Sequence, residues 1–337
     1  MARAWLDCLI AAALFGVATP ASKVLLHSVG AQTLAGLLYL GAAVVTLPFA
    51  LRTPLKAVQR LNVLRLAGAV LFGGVVAPVL LLTGLKLAPA SSTSLWLNLE
   101  GTATALLSFL FFREHLGARV WAAVLVMFGA SAFLSIAEGA GGGVAALFVV
   151  MACFAWGVDN NLTAVNDGFT PAQMTCIKGL VAGAVNLGLG AVLEPMPASS
   201  SPVLLALVLG ALSYGVSLVL YIGGAQRLGA TRSQVLFSTA PFMGLLVSWM
   251  ILDEPVLATQ LLAGVMMAVG VWLVQRASHT HAHVHPALTH THKHRHDDGH
   301  HTHAHPGLAP DVEHTHAHEH EALEHDHPHV PDLHHRH

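Results

Sequence analysis

Residues 84–116 read GLKLAPASSTSLWLNLEGTATALLSFLFFREHL, and residues 224–256 read GAQRLGATRSQVLFSTAPFMGLLVSWMILDEPV. Each stretch leaves a glycine, crosses small and hydroxylic residues, continues as an apolar run and closes on an acid, Glu114 in one and Glu254 in the other. A shorter pair, FGVATPASKVL from Phe15 and WGVDNNLTAVN from Trp156, repeats at nearly the separation that divides Gly84 from Gly224. Self-similarity sustained in order along a chain is the mark of a duplicated structural unit.

What the unit is follows from its composition. Of 337 residues, 54% are hydrophobic and 10% charged, whereas about a quarter of a soluble domain is charged. A bilayer's hydrocarbon core takes about 20 apolar residues per helix, and the chain divides into such lengths at 5–26, 33–51, 63–84, 92–112, 118–137, 146–166, 172–193, 203–223, 233–252 and 257–275. The expected fold is an all-α integral membrane protein of ten transmembrane helices, five in residues 1–140 and five in 141–278, followed by a polar tail, 279–337. Five is odd, so the second copy enters the membrane upside down, the arrangement from which many transporters build two alternative openings around a midplane site.

Loop charge supplies an independent test, because Lys and Arg collect on the cytoplasmic side. With the N-terminus inside, the inner segments hold Arg3, Arg52, Lys56, Arg60, Arg65, Arg113, Arg119, Arg227, Arg232 and Arg276, and the outer ends hold only Lys23 and Lys86. This bias places both termini in the cytoplasm of a multi-pass protein of the cell (inner or plasma) membrane. Arg3 ahead of an apolar run, with ATPAS at 18–22, also fits a secretory signal, but recurrence of the motif in helix 6 assigns the segment to the repeat. Cys8, Cys153 and Cys176 lie in apolar stretches without metal-site spacing and read as small core residues.

The two runs Gly84–Glu114 and Gly224–Glu254, in this order and with this topology, resemble the paired EamA domains of the drug/metabolite transporter superfamily. The resemblance covers residues 5–275 and implies secondary transport of small metabolites, often export, through a cavity lined by helices 1, 3, 4, 6, 8 and 9. One departure is visible: the family's Glu-Pro within helix 4 is Glu100-Gly101 here, while helix 9 carries Ala240-Pro241. The proline kink of helix 4 is therefore absent from the sequence, although glycine also permits a bend.

Ionisable groups inside spans are the strongest site candidates, since each costs about 2.5–3.5 kcal/mol at a helix centre on insertion scales. Glu100 lies in mid-helix 4, and Asp159 on helix 6 stands at a depth similar to that of Lys178 on helix 7, which makes an ion pair one reading and a cavity site the other. Asn98, Asn160, Asn161 and Gln234 offer hydrogen bonds to a substrate or between helices. Trp96 suits a cavity wall or an interfacial belt. Glu114, His115 and Glu254, at span ends, read as helix-junction residues, and His27 as interfacial.

The tail poses a separate question. It holds all of the chain's 24 histidines except His27 and His115, and the unit HTHAH recurs at 279, 301 and 314. Interleaved Thr, Ala, Pro and Asp distinguish it from a purification tag. Too few apolar residues are present for a core, so a disordered segment is expected. Alternating histidines such as His279, His281, His283, His301, His303, His305, His314, His316 and His318 offer chelating sets for Zn²⁺, Ni²⁺ or Co²⁺, and imidazole near its pKa of about 6.5 offers proton sensing as the alternative.

No nucleophile elbow, phosphate loop or enzyme-type triad occurs, which excludes the common enzyme classes, and a tail that is acidic when its histidines are neutral does not suit nucleic acid. The expected partners are the bilayer, a small-molecule substrate and divalent metal. Three functions remain: a metabolite exporter with a metal-binding tail, a divalent-metal exporter fed by the tail, and a non-transporting metal-storage or regulatory membrane protein.

Overall fold

The computed structural model describes residues 2–54, 58–112, 117–166, 168–228 and 230–275, and in the tail 282–285, 288–294, 314–320 and 323–326. The chain divides into two units, residues 1–277 and 278–335.

The first unit is helical throughout. Helix 1 is Ala2–Gly16 and Ala18–Leu25, helix 2 Ala31–Ala50, helix 3 Arg60–Leu87, helix 4 Ala90–Trp96 and Leu99–Phe112, and helix 5 Ala118–Ala137. Helix 6 is Gly139–Ala164, helix 7 Pro171–Leu193, helix 8 Ser200–Leu228 in three segments, helix 9 Ala230–Phe237 and Ala240–Ile251, and helix 10 Ala258–Gln275. Among the described residues eight of these are long and apolar enough to cross a membrane; helices 4 and 9 are each broken into two pieces. The division between helices 6 and 7 is marked by a capping box, in which the Thr170 hydroxyl accepts from Gln173 N–H and the Gln173 side chain accepts from Thr170 N–H.

Departures from regular helix recur at matched places. Val70–Val76 of helix 3 and Ala211–Val216 of helix 8 are π-helical, and helices 4 and 9 break at residues 97–98 and 238–239. Val70 is separated from Ala211, and Leu97 from Ser238, by the same interval as Phe15 from Trp156. Pro241, at the start of the second piece of helix 9, accounts for that break. In helix 4 the same break forms without proline: Asn98 and Glu100 N–H turn back to the carbonyls of Leu95 and Leu97, and the Asn98 side chain donates to Leu95 O at 3.0 Å.

Helix ends sort onto two faces. At the first end Lys23 Nζ donates to the carbonyls of Leu85 and Ala88 at 2.6 and 2.8 Å, closing the C-terminus of helix 3. There too Glu194 accepts from Gln32 and Thr33 N–H, and Glu254 from Ala90 and Ser91 N–H, so carboxylates cap helices 2 and 4. This is the junction role expected of Glu254; Glu114 and His115 lie outside the described residues. At the second end Arg65 donates to Val165 O, Asn166 to Asn62 O and Gln173 to Thr53 O. The segments thus alternate faces as ten spans require.

Helices 4 and 9 meet through their first-end pieces. Ala90–Trp96 packs on Ala240–Ile251, with Gly244 lying against Ser94 and the Gly16 carbonyl. Toward the second end the partners differ: Leu99–Phe112 packs on helices 5 and 6, and Ala230–Phe237 on helices 1 and 8.

In the second unit, where the sequence leads to an expectation of no regular structure, the described residues form two antiparallel ladders. Ala282–His285 pairs with Leu323–Asp326, and Leu288–His294 with His314–His320. The period-two alternation of histidine with threonine suits extended backbone, although composition provides no apolar face.

Candidate functional site

The π-helical segment of helix 3 creates the site. A π turn withdraws carbonyls from the i→i+4 ladder, and such buried groups need other partners. Gly73 O accepts from the Tyr39 hydroxyl of helix 2 at 2.5 Å and from the Trp156 indole of helix 6 at 3.0 Å. Gly74 O accepts from Asn186 Nδ2 of helix 7 at 3.1 Å, and Asn186 Oδ1 accepts from Gln32. Four helices are therefore gathered around two glycine carbonyls. Position 73 suits glycine, since a Cβ there would fall on the Asp159 carboxylate.

Asp159 is buried, and both its oxygens accept from Lys178 Nζ, at 2.5 and 2.6 Å; Thr163 Oγ1 adds a third bond at 3.1 Å. The two residues form the ion pair that their matching depth suggested. Glu100 follows directly after the break in helix 4. Its Oε1 accepts from Asn160 Nδ2 at 3.1 Å, and Asn160 also reaches Thr104 at 3.2 Å. Glu100 lies within electrostatic reach of Asp159 and Lys178, and Tyr214 of helix 8 within reach of Glu100. Tyr214 stacks near Tyr39, ring centroids 5.9 Å apart. Glu100, Asn160, Asp159 and Lys178 are thus gathered on helices 4, 6 and 7, with helices 2, 3 and 8 completing the surround.

Four other candidates from the sequence remain. Trp96 is fully buried in a core cluster of helices 3–6, 9 and 10, its indole N–H without a hydrogen-bond partner among the described residues. Asn98 serves the helix 4 break. Gln234 belongs to Ala230–Phe237, and its side chain lies outside the described residues. Asn161 bridges helices 4 and 6 through Ser108 and the Thr104 carbonyl. Tyr39, Gly73, Trp156 and Asn186 were not singled out from sequence. Asn186, polar in an apolar span, was the one available signal; a π turn leaves none in an all-apolar helix.

A surface cavity of about 540 Å³ lies at the first end, lined by residues including His27, Lys86 and Glu194. Glu194 there is already engaged by helix 2. Among the described residues no group of three metal-ligating side chains occurs. Of the tail histidines, His283, His314, His316 and His318 fall in the ladders, while His279, His281, His301, His303 and His305 lie outside the described residues.

Two five-helix halves, matched in their π turns and helix breaks and enclosing a charged cluster within the spans, have the architecture of an inverted-repeat membrane transporter. The chain belongs to the EamA-like transporter family, whose pattern matches residues 4–136 and 143–276. An uncharacterized transporter of Methanothermobacter thermautotrophicus is 28% identical over 302 residues, covering 81% of this chain and 87% of that one. A protein known from a crystal structure shares the fold at a TM-score of 0.59 and 19% identity, over 80% of this chain and 95% of that chain.

Proposed function

We propose that this protein exports small metabolites by alternating access, from a central site formed by Glu100, Asn160, Asp159 and Lys178, and that its cytoplasmic tail binds divalent metal. The observation that carries the reading is the charge balance within the spans. Asp159 and Lys178 neutralise one another, whereas the described partner of Glu100 is a neutral amide. A carboxylate at that depth is costly unless protonated or matched by substrate, so the site suits a gradient-coupled carrier of polar or cationic metabolites. The loop-charge bias supports an orientation with the first end outside and both termini in the cytoplasm.

For the tail, support comes from the register. His290 stands opposite His318, His292 opposite His316 and His294 opposite His314, and residues two apart share a face of a ladder. Imidazole suits Zn²⁺, Ni²⁺ and Co²⁺ alike. The histidine content also favours a second reading, export of metal collected by the tail. Proteoliposomes bearing the whole chain, or the chain ending at residue 278, decide between them when assayed with a metabolite panel and separately with Ni²⁺, Co²⁺ and Zn²⁺. Metabolite transport that survives the deletion supports the proposal. Metal transport that collapses with it establishes the metal exporter, and no transport of either kind leaves a storage or regulatory role.

A further inference from the structure

Aromatic side chains from four helices meet in one continuous run. Between ring centroids, Tyr39 of helix 2 lies 5.9 Å from Tyr214 of helix 8, Tyr214 5.5 Å from Phe15 of helix 1, Phe15 5.3 Å from Phe237 of helix 9, and Phe237 4.7 Å from Tyr221, farther along helix 8. Rings that touch across helices point into the bundle and not toward lipid. Tyr39 is buried, whereas Phe15, Tyr214, Tyr221 and Phe237 each keep part of their surface open. Tyr214 is within electrostatic reach of Glu100, which is itself only partly buried and is bonded to the exposed Asn160.

The duplication shows that the charged cluster has no charged twin. In the paired stretches from Phe15 and Trp156, Asp159 corresponds to Ala18 and Asn160 to Thr19; at the same interval Lys178 corresponds to Leu37, and Glu100 stands where the second copy has Ala240. Charge therefore lies on helices 4, 6 and 7 alone, and rings from helices 1, 8 and 9 stand across from it. The site has two unlike poles. Within the charged pole Asp159 and Lys178 cancel, which leaves the single carboxylate of Glu100 as its net charge.

We infer that the site takes an amphipathic monocation, an amine on an aromatic or apolar body, in preference to an amino acid or a diamine. This rests on the reading of Glu100 and its neighbours as the substrate site. The ammonium pairs with Glu100, and the face of Tyr214 adds to that attraction because an aromatic face is negative, while the body lies along Phe15 and Phe237. A carboxylate on the same substrate finds no such welcome, since Lys178, the cation within reach of Glu100, already donates to both oxygens of Asp159. A second ammonium is left against rings with no carboxylate of its own. Glu100 thus selects the sign and number of charges, and the rings select the body that carries them.

The test measures binding to the full-length protein in lipid nanodiscs by calorimetry at neutral pH, and uptake of the same probes into proteoliposomes. The probes are 2-phenylethylamine, phenylalanine, 2-phenylethanol, butylamine and putrescine. 2-Phenylethylamine should bind about tenfold more tightly than any of the others. Glu100→Gln should weaken the amine about tenfold and leave 2-phenylethanol unchanged, and Phe237→Leu, which keeps an apolar side chain but removes the ring, should weaken 2-phenylethylamine about threefold and leave butylamine unchanged. Should Glu100→Gln fail to fold, the probe series on wild type decides alone. Another probe binding as tightly as 2-phenylethylamine, or no binding of any probe, would overturn the inferred ligand class. Binding in the expected order without uptake would remove transport and leave that class standing, whereas uptake of phenylalanine in preference to 2-phenylethylamine, lost in Glu100→Gln, would keep the transport site and overturn the class.

Discussion

Position 73 shows how much one residue can decide. Its lack of a side chain admits the Asp159 carboxylate, and its carbonyl binds Tyr39 and Trp156. Gly73→Ala should push Asp159 away from Lys178 and abolish most transport, measured in proteoliposomes, while the protein still inserts. The ion pair itself makes a sharper prediction. Removing one partner of a buried pair leaves a lone charge, at about 3–5 kcal/mol, whereas removing both leaves none. Asp159→Asn and Lys178→Met should therefore each lower the melting temperature more than the double variant does. Additive losses in this cycle would show that the two residues are not coupled.

At the scale of elements, the helix ends matter as much as the helices. Glu194 follows helix 7 and caps helix 2. Burial alone would raise its pKa, but the N–H groups of Thr33 and Gln32, the Thr33 hydroxyl and nearby Lys86 outweigh that and hold it below the ordinary carboxylate value. A depressed folded pKa stabilises the fold fully above the unfolded value, about 4.3, and this contribution disappears as pH falls through the lower folded value. Wild type should thus lose thermal stability on acidification below about pH 5 more steeply than Glu194→Gln, whose amide does not titrate. Thermal melts of both proteins from neutral pH down to about pH 3.5 measure the difference; parallel curves would show that the cap contributes nothing.

For the whole molecule, the proposed topology of ten spans with cytoplasmic termini predicts that a cysteine at Gly141 reacts with an impermeant probe on intact cells, and one at Gly307 only after permeabilisation. Labelling of Gly307 from outside would invert the orientation. The tail predicts metal binding that protons oppose, because imidazole must be neutral to ligate. Calorimetry with Zn²⁺ should show several sites of graded affinity in the whole chain at about pH 7.5, absent from a chain ending at residue 278 and lost as pH falls through about 6. Equal binding at about pH 5 would rule out imidazole as the ligand.

Span number, duplication and inversion were legible in the sequence because each is written in composition or periodicity: apolar length sets the spans, and a near-constant offset between matching stretches sets the repeat. Glu100, Asp159 and Lys178 stand out in the sequence for a related reason, since a charge within an apolar run is costly. What tertiary structure alone decided was which polar groups meet. The π turns at 70–76 and 211–216 and the proline-free break at 97–98 arise where apolar helices pack and buried carbonyls find new donors. Trp96 entered the core and Asn186 joined the site because helix rotation is set by neighbours; a helix apolar on every side carries no stripe from which its facing could be read.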